Sequence, residues 1–339
     1  MPIFYGLPFM HCLVTGAAGF VGSSICDRLL AEGHTVVGFD CFVDYYPRSM
    51  KERNLESARS NPKFKFVEGS LLGSNQSSAA ATLDPLLKGV DWVFHQAAQA
   101  GVRASWGTTF QSYTDNNILG TQQLLEAIRR APSVKKVVYA SSSSVYGDAE
   151  TYPTSELVTP RPVSPYGVSK LAAEHLMVLY SREFNVPTVS LRYFTVFGPR
   201  QRPDMAFHRF IRAGILKEPV SLFGDGEQSR DFTFISDVVQ ANLLAAERGP
   251  SGSVFNIGGG VQATVNEVLA IIGGIVGPLS INRMERQAGD ARHTSADTSK
   301  AREIIGFNPT VQLTEGIRQE AEWLRGEIRI STAEGSGRK

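Results

Sequence analysis

The chain has 339 residues, a formal net charge of +1 and 42% hydrophobic content, enough for one large domain with a smaller lobe around a sizeable core. So even a balance excludes the broad positive field that nucleic acid or an anionic membrane surface recognises. No apolar run reaches transmembrane length, and Met1–Met10 lacks the basic start and long apolar core of a signal peptide. That segment reads as an extension draped on the surface. Cys12, Cys26 and Cys41 are odd in number and lack zinc-ligand spacing, so they read as buried free thiols of a reducing, cytoplasmic compartment.

His11–Thr15 is a β-type run ending in Gly16-Ala-Ala-Gly19-Phe20-Val21-Gly22. Ser23–Glu32 then reads as a helix, and Thr35–Phe39 as a second strand capped by Asp40. Strand, glycine turn, helix, strand and acid form the dinucleotide-binding pattern. The glycines let backbone N–H groups approach a pyrophosphate, and the helix N-terminus adds positive potential there. Asp40 is placed to accept hydrogen bonds from the adenosine ribose, and its charge repels a 2′-phosphate, which favours NAD over NADP.

The alternation continues. Lys65–Glu68 reads as a strand with Gly69-Ser70-Leu71 facing the adenine. Asp91–Gln96 follows, and Ala97-Ala98 are small enough for the cofactor to lie close. Phe110–Arg130 reads as a helix carrying Asn116, and Lys136–Ala140 as a strand opening into Ser141-Ser142-Ser143-Ser144-Val145-Tyr146-Gly147. Strands separated by helices of this length predict an α/β fold, a Rossmann-type doubly wound parallel sheet. Ligands of such sheets bind beyond the carboxyl ends of the strands, where Asp40, Ser70, Ala97 and Ser142 all stand.

Tyr166 and Lys170 are four residues apart and share a helix face; Pro165 suits the first helical position and Ser164 the N-cap. A phenol ionises near pH ~10, so a base working near neutrality needs positive charge beside it. Lys170 and a bound nicotinamide cation are the expected sources. A serine hydroxyl can relay a proton between Tyr166 and a substrate alcohol.

After the strand Thr188–Tyr193 the rhythm breaks into a long connection rich in Pro and Arg. It opens a smaller, mixed α/β substrate lobe. Phe207–Leu216 reads as a helix and Val220–Phe223 as a strand. Phe232–Leu244 returns to the main domain, Val254–Ile257 adds a strand, Thr264–Gly273 is helical and Glu315–Arg325 closes the chain. The expected partition is 1–193 with about 232–258 for NAD, about 194–231 with 259–328 for the substrate, and a flexible tail at 329–339. Arg200, Arg202, Arg230 and Arg292 lie in loops of this second region and suit phosphates or a carboxylate. Trp106, Arg103 and His208 read as core or rim packing, and no cluster has metal-ligand spacing.

The motifs Thr15-Gly-Ala-Ala-Gly-Phe-Val-Gly22, Ser143-Ser-Val-Tyr-Gly147, Tyr166-x-x-x-Lys170, Arg192-Tyr-Phe-Thr-Val-Phe-Gly-Pro-Arg-Gln-Arg-Pro-Asp-Met-Ala206 and Gly224-Asp-Gly-Glu-Gln-Ser-Arg-Asp-Phe232 carry a resemblance. From about Met10 to Arg325 the chain resembles the extended short-chain dehydrogenase/reductase family, in particular its nucleotide-sugar epimerases. Phe194-Thr195, Arg202 and Gly101–Trp106 look most like UDP-glucuronate 4-epimerases.

The resemblance implies a tightly held NAD, reduced and reoxidised within one turnover, and a homodimer through Phe110–Arg130 and Pro165–Phe184. It makes Tyr166 the base, Lys170 its partner and ribose ligand, and Ser142 the bridging hydroxyl. Gly16, Gly19, Phe20, Val21, Gly22, Asp40, Ser70, Leu71, Gln96, Ala97, Ala98, Asn116 and Tyr193 join Tyr166 and Lys170 around NAD. Ser142, Ser143, Ser144, Tyr166, Thr195, Arg202, Ala206, Ser221, Phe223, Arg230 and Asp290 meet the UDP-sugar. Two departures stand out: the family often has an acid where Ser70 stands, and an arginine common near Gln287 is replaced by Arg286 or Arg292.

A 4-ketone beside a C5 carboxylate is a β-keto acid, prone to lose carbon dioxide. Related decarboxylases and dehydratases place acids where Ser143 and Ser144 stand, so the resemblance implies epimerisation of UDP-glucuronate to UDP-galacturonate without decarboxylation. The alternatives are a UDP-glucose/UDP-galactose 4-epimerase, a UDP-glucuronate decarboxylase, a plain alcohol dehydrogenase using free NAD, and a non-catalytic NAD-binding regulator.

Overall fold

The computed structural model describes residues 9–74, 76–285 and 291–336. Its centre is a seven-stranded parallel sheet. From one edge the order is Ser253–Ile257, Thr188–Tyr193, Lys136–Ser142, Trp92–His95, His11–Thr15, Thr35–Asp40 and Phe64–Glu68. The chain reverses its direction of travel across the sheet between His11–Thr15 and Trp92–His95. That switch point opens a crevice at the carboxyl ends of the strands. His11–Thr15 sends Cys12 and Val14 to one hydrophobic cluster and Leu13 to the other. A strand covered on both faces therefore reads as a continuous apolar run.

Helix Pro165–Phe184 begins where the Ser164 side chain accepts from the Gly167 N–H at 3.1 Å, with Pro165 in the first turn, and ends at Asn185 in the left-handed region. The return to the main sheet starts at Ile235, after Phe232–Phe234 has paired in the second lobe: helix Ile235–Arg248 packs on Phe20–Ala31, and Ser253–Ile257 becomes the edge strand. The second lobe is built on short pairings. Thr195–Phe197 runs parallel to Phe232–Phe234, Ser229–Asp231 antiparallel to Gln262–Thr264, and Val220–Phe223 parallel to Ile281–Met284. Phe197 anchors the lobe by stacking edge-on with Phe207 and Phe234 at 5.0 and 5.4 Å between centroids.

Four expectations need correction. Phe110–Arg130 is not one α-helix: a π-helical stretch, Thr114–Leu119, separates Phe110–Tyr113 from Gly120–Arg129. The last helix runs Leu313–Ser336, longer than the Glu315–Arg325 read from the sequence, and an ion pair from Arg53 to Glu327 at 2.8 Å ties it to the main domain. Cys41 is exposed while Cys12 and Cys26 are buried, because Cys41 follows the end of its strand at the crevice mouth. Met10 is buried and its N–H donates to His34 Nδ1 at 3.0 Å, so the extension enters the core by that residue; Met1–Pro8 lie outside the described residues.

Candidate active site

A cleft of about 890 Å³ lies between the carboxyl ends of the strands and the second lobe. Every residue expected around NAD lines it except Ser70, whose hydroxyl is turned to the Leu72 N–H at 3.2 Å while Gly69 and Leu71 form the wall. Every residue expected around the UDP-sugar lines it too, except Asp290. Asp290 lies outside the described residues, as do Arg286 and Gln287. Arg200 turns away from the cleft into an ion pair with Asp27 at 2.7 Å, whereas Arg202, Arg230 and Arg292 line it.

The glycine turn fits a dinucleotide phosphate for a steric reason. Gly16 has φ +69°, and a Cβ there would lie 2.7 Å from the Ala97 nitrogen; at Gly22 it would lie 2.1 Å from the Gly16 oxygen. Only glycine lets these backbones meet and leaves amides facing the ligand. Asp40 stands beside the turn, accepting from the Ala18 and Phe42 N–H groups at 3.0 and 2.8 Å, while burial pulls its pKa up. Such a carboxylate suits ribose hydroxyls and rejects a phosphate.

Tyr166 and Lys170 face the cleft from one side of their helix, as the spacing predicts. Burial raises the Tyr166 pKa above its ordinary value; a hydrogen bond from Ser142 and the charge of Arg202 act against it. Ser142 is prepared for that bond, since its oxygen already accepts from the Ser144 N–H at 3.1 Å and its proton remains to be given. The Tyr166 ring meets Tyr113 edge-on at 6.2 Å, and the Tyr113 hydroxyl is fixed by the Ala100 and Gly101 carbonyls.

Lys170 departs from expectation. Its ammonium lies over the Tyr139 ring at 4.6 Å, and burial pulls its pKa down to about 7 against the opposing charge of Glu174. Glu174 in turn is held bidentately by Arg192 at 2.6 and 2.9 Å and accepts from Ser141 at 2.6 Å, so little of its charge is left for Lys170. Arg192 also donates to the Tyr146 hydroxyl at 2.7 Å, which donates to Asn256 at 2.7 Å. This buried network braces the floor of the site. Sequence reasoning missed it because its members come from four separated segments.

The π-helical stretch carries Asn116 to the cleft wall. Asn117 stays inside, clamping the Gln99 backbone at 2.7 and 3.0 Å and the Ser169 hydroxyl at 2.9 Å. Stretches of this kind gather at functional sites because they re-aim one side chain. Sequence reasoning also missed Tyr45, Asp204 and Arg209 and gave Arg103 to packing; all four line the cleft. Arg103 and Arg209 both approach the Phe223 ring, at 4.8 and 5.8 Å. Among the described residues no group of His, Cys, Asp and Glu is placed to hold a metal, and no helix is long and apolar enough to cross a membrane.

Known proteins are similar to this chain over nearly its whole length. A Bacillus subtilis (strain 168) protein named uncharacterized UDP-glucose epimerase YtcB is 44% identical over 93% of this chain and 98% of its own. The UDP-glucuronate 4-epimerase of Thermodesulfobacterium geofontis is 34% identical over 94% of this chain and 98% of its own. The solved structure of UDP-glucuronic acid 4-epimerase from Bacillus cereus, in complex with UDP-glucuronic acid and NAD, superposes with a TM-score of 0.89 at 42% identity, covering 94% of this chain and all of that one. The model of the NAD dependent epimerase/dehydratase family matches residues 12–258, and with the glycine turn, Tyr166, Lys170 and Ser142 gathered on one cleft, the chain belongs to that family.

Proposed function

We propose that the chain is an NAD-dependent epimerase that interconverts UDP-glucuronate and UDP-galacturonate at C4 without decarboxylation. The observation that carries this reading is Arg202, a cleft-lining guanidinium close enough for its charge to act on the Tyr166 hydroxyl. A sugar whose 4-hydroxyl faces Tyr166 brings its C5 substituent toward that cation, and a carboxylate is the substituent that uses it.

The residues divide the task. Gly16, Gly19 and Gly22 hold the dinucleotide phosphates, Asp40 the adenosine ribose, and Lys170 the second ribose. Bound NAD supplies hydride acceptance and hydride return. Tyr166 takes the proton of the sugar 4-hydroxyl as the hydride leaves C4, with Ser142 donating to the phenolate, and returns it when the hydride comes back to the other face. Between these steps the flat 4-ketone turns over, and the UDP group keeps it bound while it does so. Arg209, Arg230 and Arg292 on the second-lobe wall, with Arg103 reaching across to the Phe223 ring, give the cleft the charge for that diphosphate. Thr195, Ser143, Ser144 and Arg202 surround the C5 carboxylate, and no acid stands in the serine loop to work at C5.

A second reading, UDP-glucose 4-epimerase, is favoured by one feature: Arg202 is already paired with Asp204, so a neutral hexose leaves no cation uncompensated. Incubation of the NAD-loaded protein with UDP-glucuronate, followed by proton spectra and product mass, separates these readings. UDP-galacturonate as the main product supports the uronate; turnover of UDP-glucose alone, or UDP-pentose as the main product, rejects it.

We further propose a homodimer in the cytoplasm, where Cys12, Cys26 and Cys41 stay reduced. Exposed Val168, His175 and Leu179 form a stripe along Pro165–Phe184 near exposed Leu119, and such a face needs a partner.

A further inference from the structure

Asp204, the ion-pair partner of Arg202, lines the same cleft as Arg202 and Tyr166. It takes Arg202 side-on: Nε donates to Oδ1 at 3.0 Å and Nη2 to Oδ2 at 2.9 Å. Two parallel bonds to one edge of a guanidinium fix its plane as well as its position. Tyr45, 159 residues away in sequence, buttresses the acid: its hydroxyl donates to Asp204 Oδ2 at 3.2 Å, and its ring lies 5.8 Å from the guanidinium carbon. Gly101 makes room for that hydroxyl, since a Cβ there would stand 2.2 Å from it.

The other edge of Arg202 is not used in the same way. Nη1 makes no hydrogen bond among the described residues, and no Arg202 nitrogen is buried without a partner. That edge therefore opens toward solvent in the cleft, where a ligand can take it. One face of the arginine is thus committed to the protein and the other is presented, already aligned, to an incoming group.

We infer that Asp204 is a specificity-determining positioning residue, holding Arg202 so that its open edge receives the carboxylate of a UDP-uronate. This rests on the uronate reading above. The held carboxylate keeps the C5–carboxyl bond out of line with the π system of the 4-ketone. If it turns into line, that bond breaks, carbon dioxide leaves, the electron pair passes into the C4 carbonyl as an enolate, and C5 takes a proton from water. A neutral hexose makes no use of the presented edge, so Asp204 acts on one substrate class and not the other.

The test compares wild type with Asp204→Asn, Asp204→Ala and Tyr45→Phe, all NAD-loaded, on UDP-glucuronate and UDP-glucose, with product masses recorded. Losing one charge-assisted hold lowers the uronate-to-hexose ratio of kcat/KM by about tenfold in Asp204→Asn and further in Asp204→Ala. Tyr45→Phe, which leaves the ion pair in place, lowers it by about two- to threefold, consistent with loss of one hydrogen bond. The fraction of decarboxylated product rises in the same order. A ratio that stays within about twofold, or rises, in both Asp204→Asn and Tyr45→Phe overturns the inference. Wild type inactive on UDP-glucuronate but active on UDP-glucose overturns the uronate reading itself, and the inference with it.

Discussion

Around Tyr166 two opposing influences meet: burial holds the proton on the phenol, and Ser142 and Arg202 help to remove it. Substitution Ser142→Ala removes a donor to the phenolate and leaves the burial. The sign follows directly. The anion loses stabilisation, the pKa rises further, and the ascending limb of the kcat/KM profile moves to higher pH. At pH 7 kcat falls by roughly 10²-fold, within the usual span for a group that handles the proton, while UDP still binds. A profile unchanged in shape and position contradicts this role for Ser142. Tyr166 and Lys170 were legible because local rules place them: a cap, a first-turn proline and a four-residue spacing; Ser142 was singled out from its serine run only by the family resemblance. Tyr45 with Asp204 was not legible, because only the fold brings partners 159 residues apart together. The Lys170 environment was half legible. Its position followed from spacing, but not the Tyr139 ring beneath it or the Arg192 that ties up its nearest acid.

Elements with clear apolar patterning emerged close to their read positions; Thr188–Tyr193 and Val220–Phe223 match residue for residue. What escaped were pieces whose existence depends on a partner strand, such as Thr195–Phe197, Gln262–Thr264 and Ile281–Met284. The π-helical stretch escaped as well, since its sequence is compatible with an ordinary helix and tertiary bonds from Asn117 decide the matter. The exposed stripe of helix Pro165–Phe184 leads to a measurable consequence. Light scattering of the purified protein gives about twice the 36.9 kDa chain mass, and Val168→Glu with Leu179→Glu shifts it to the single-chain mass with the fold retained by circular dichroism. A wild-type protein that scatters as a monomer rules the dimer out.

At the scale of the molecule, one cleft combines two surfaces of different origin. The parallel sheet provides the switch point and the amides for a dinucleotide, and the second lobe provides the guanidinium wall. Phe197, packed among Phe207, Phe232 and Phe234, belongs to a hydrophobic cluster that also takes in Cys12 and Val14 of the main sheet, so one core runs beneath both surfaces. The main sheet and the glycine turn were legible from alternation alone. The shape of the second lobe was not, because its strands are short and find partners across long connections. The central claim is that this single cleft oxidises C4 of a UDP-uronate and reduces the same carbon from its other face, with the hydrogen never leaving the site. UDP-glucuronate carrying deuterium at C4 tests it most directly: the account predicts UDP-galacturonate with the deuterium fully retained at C4, and a product in which that label has exchanged with water contradicts it.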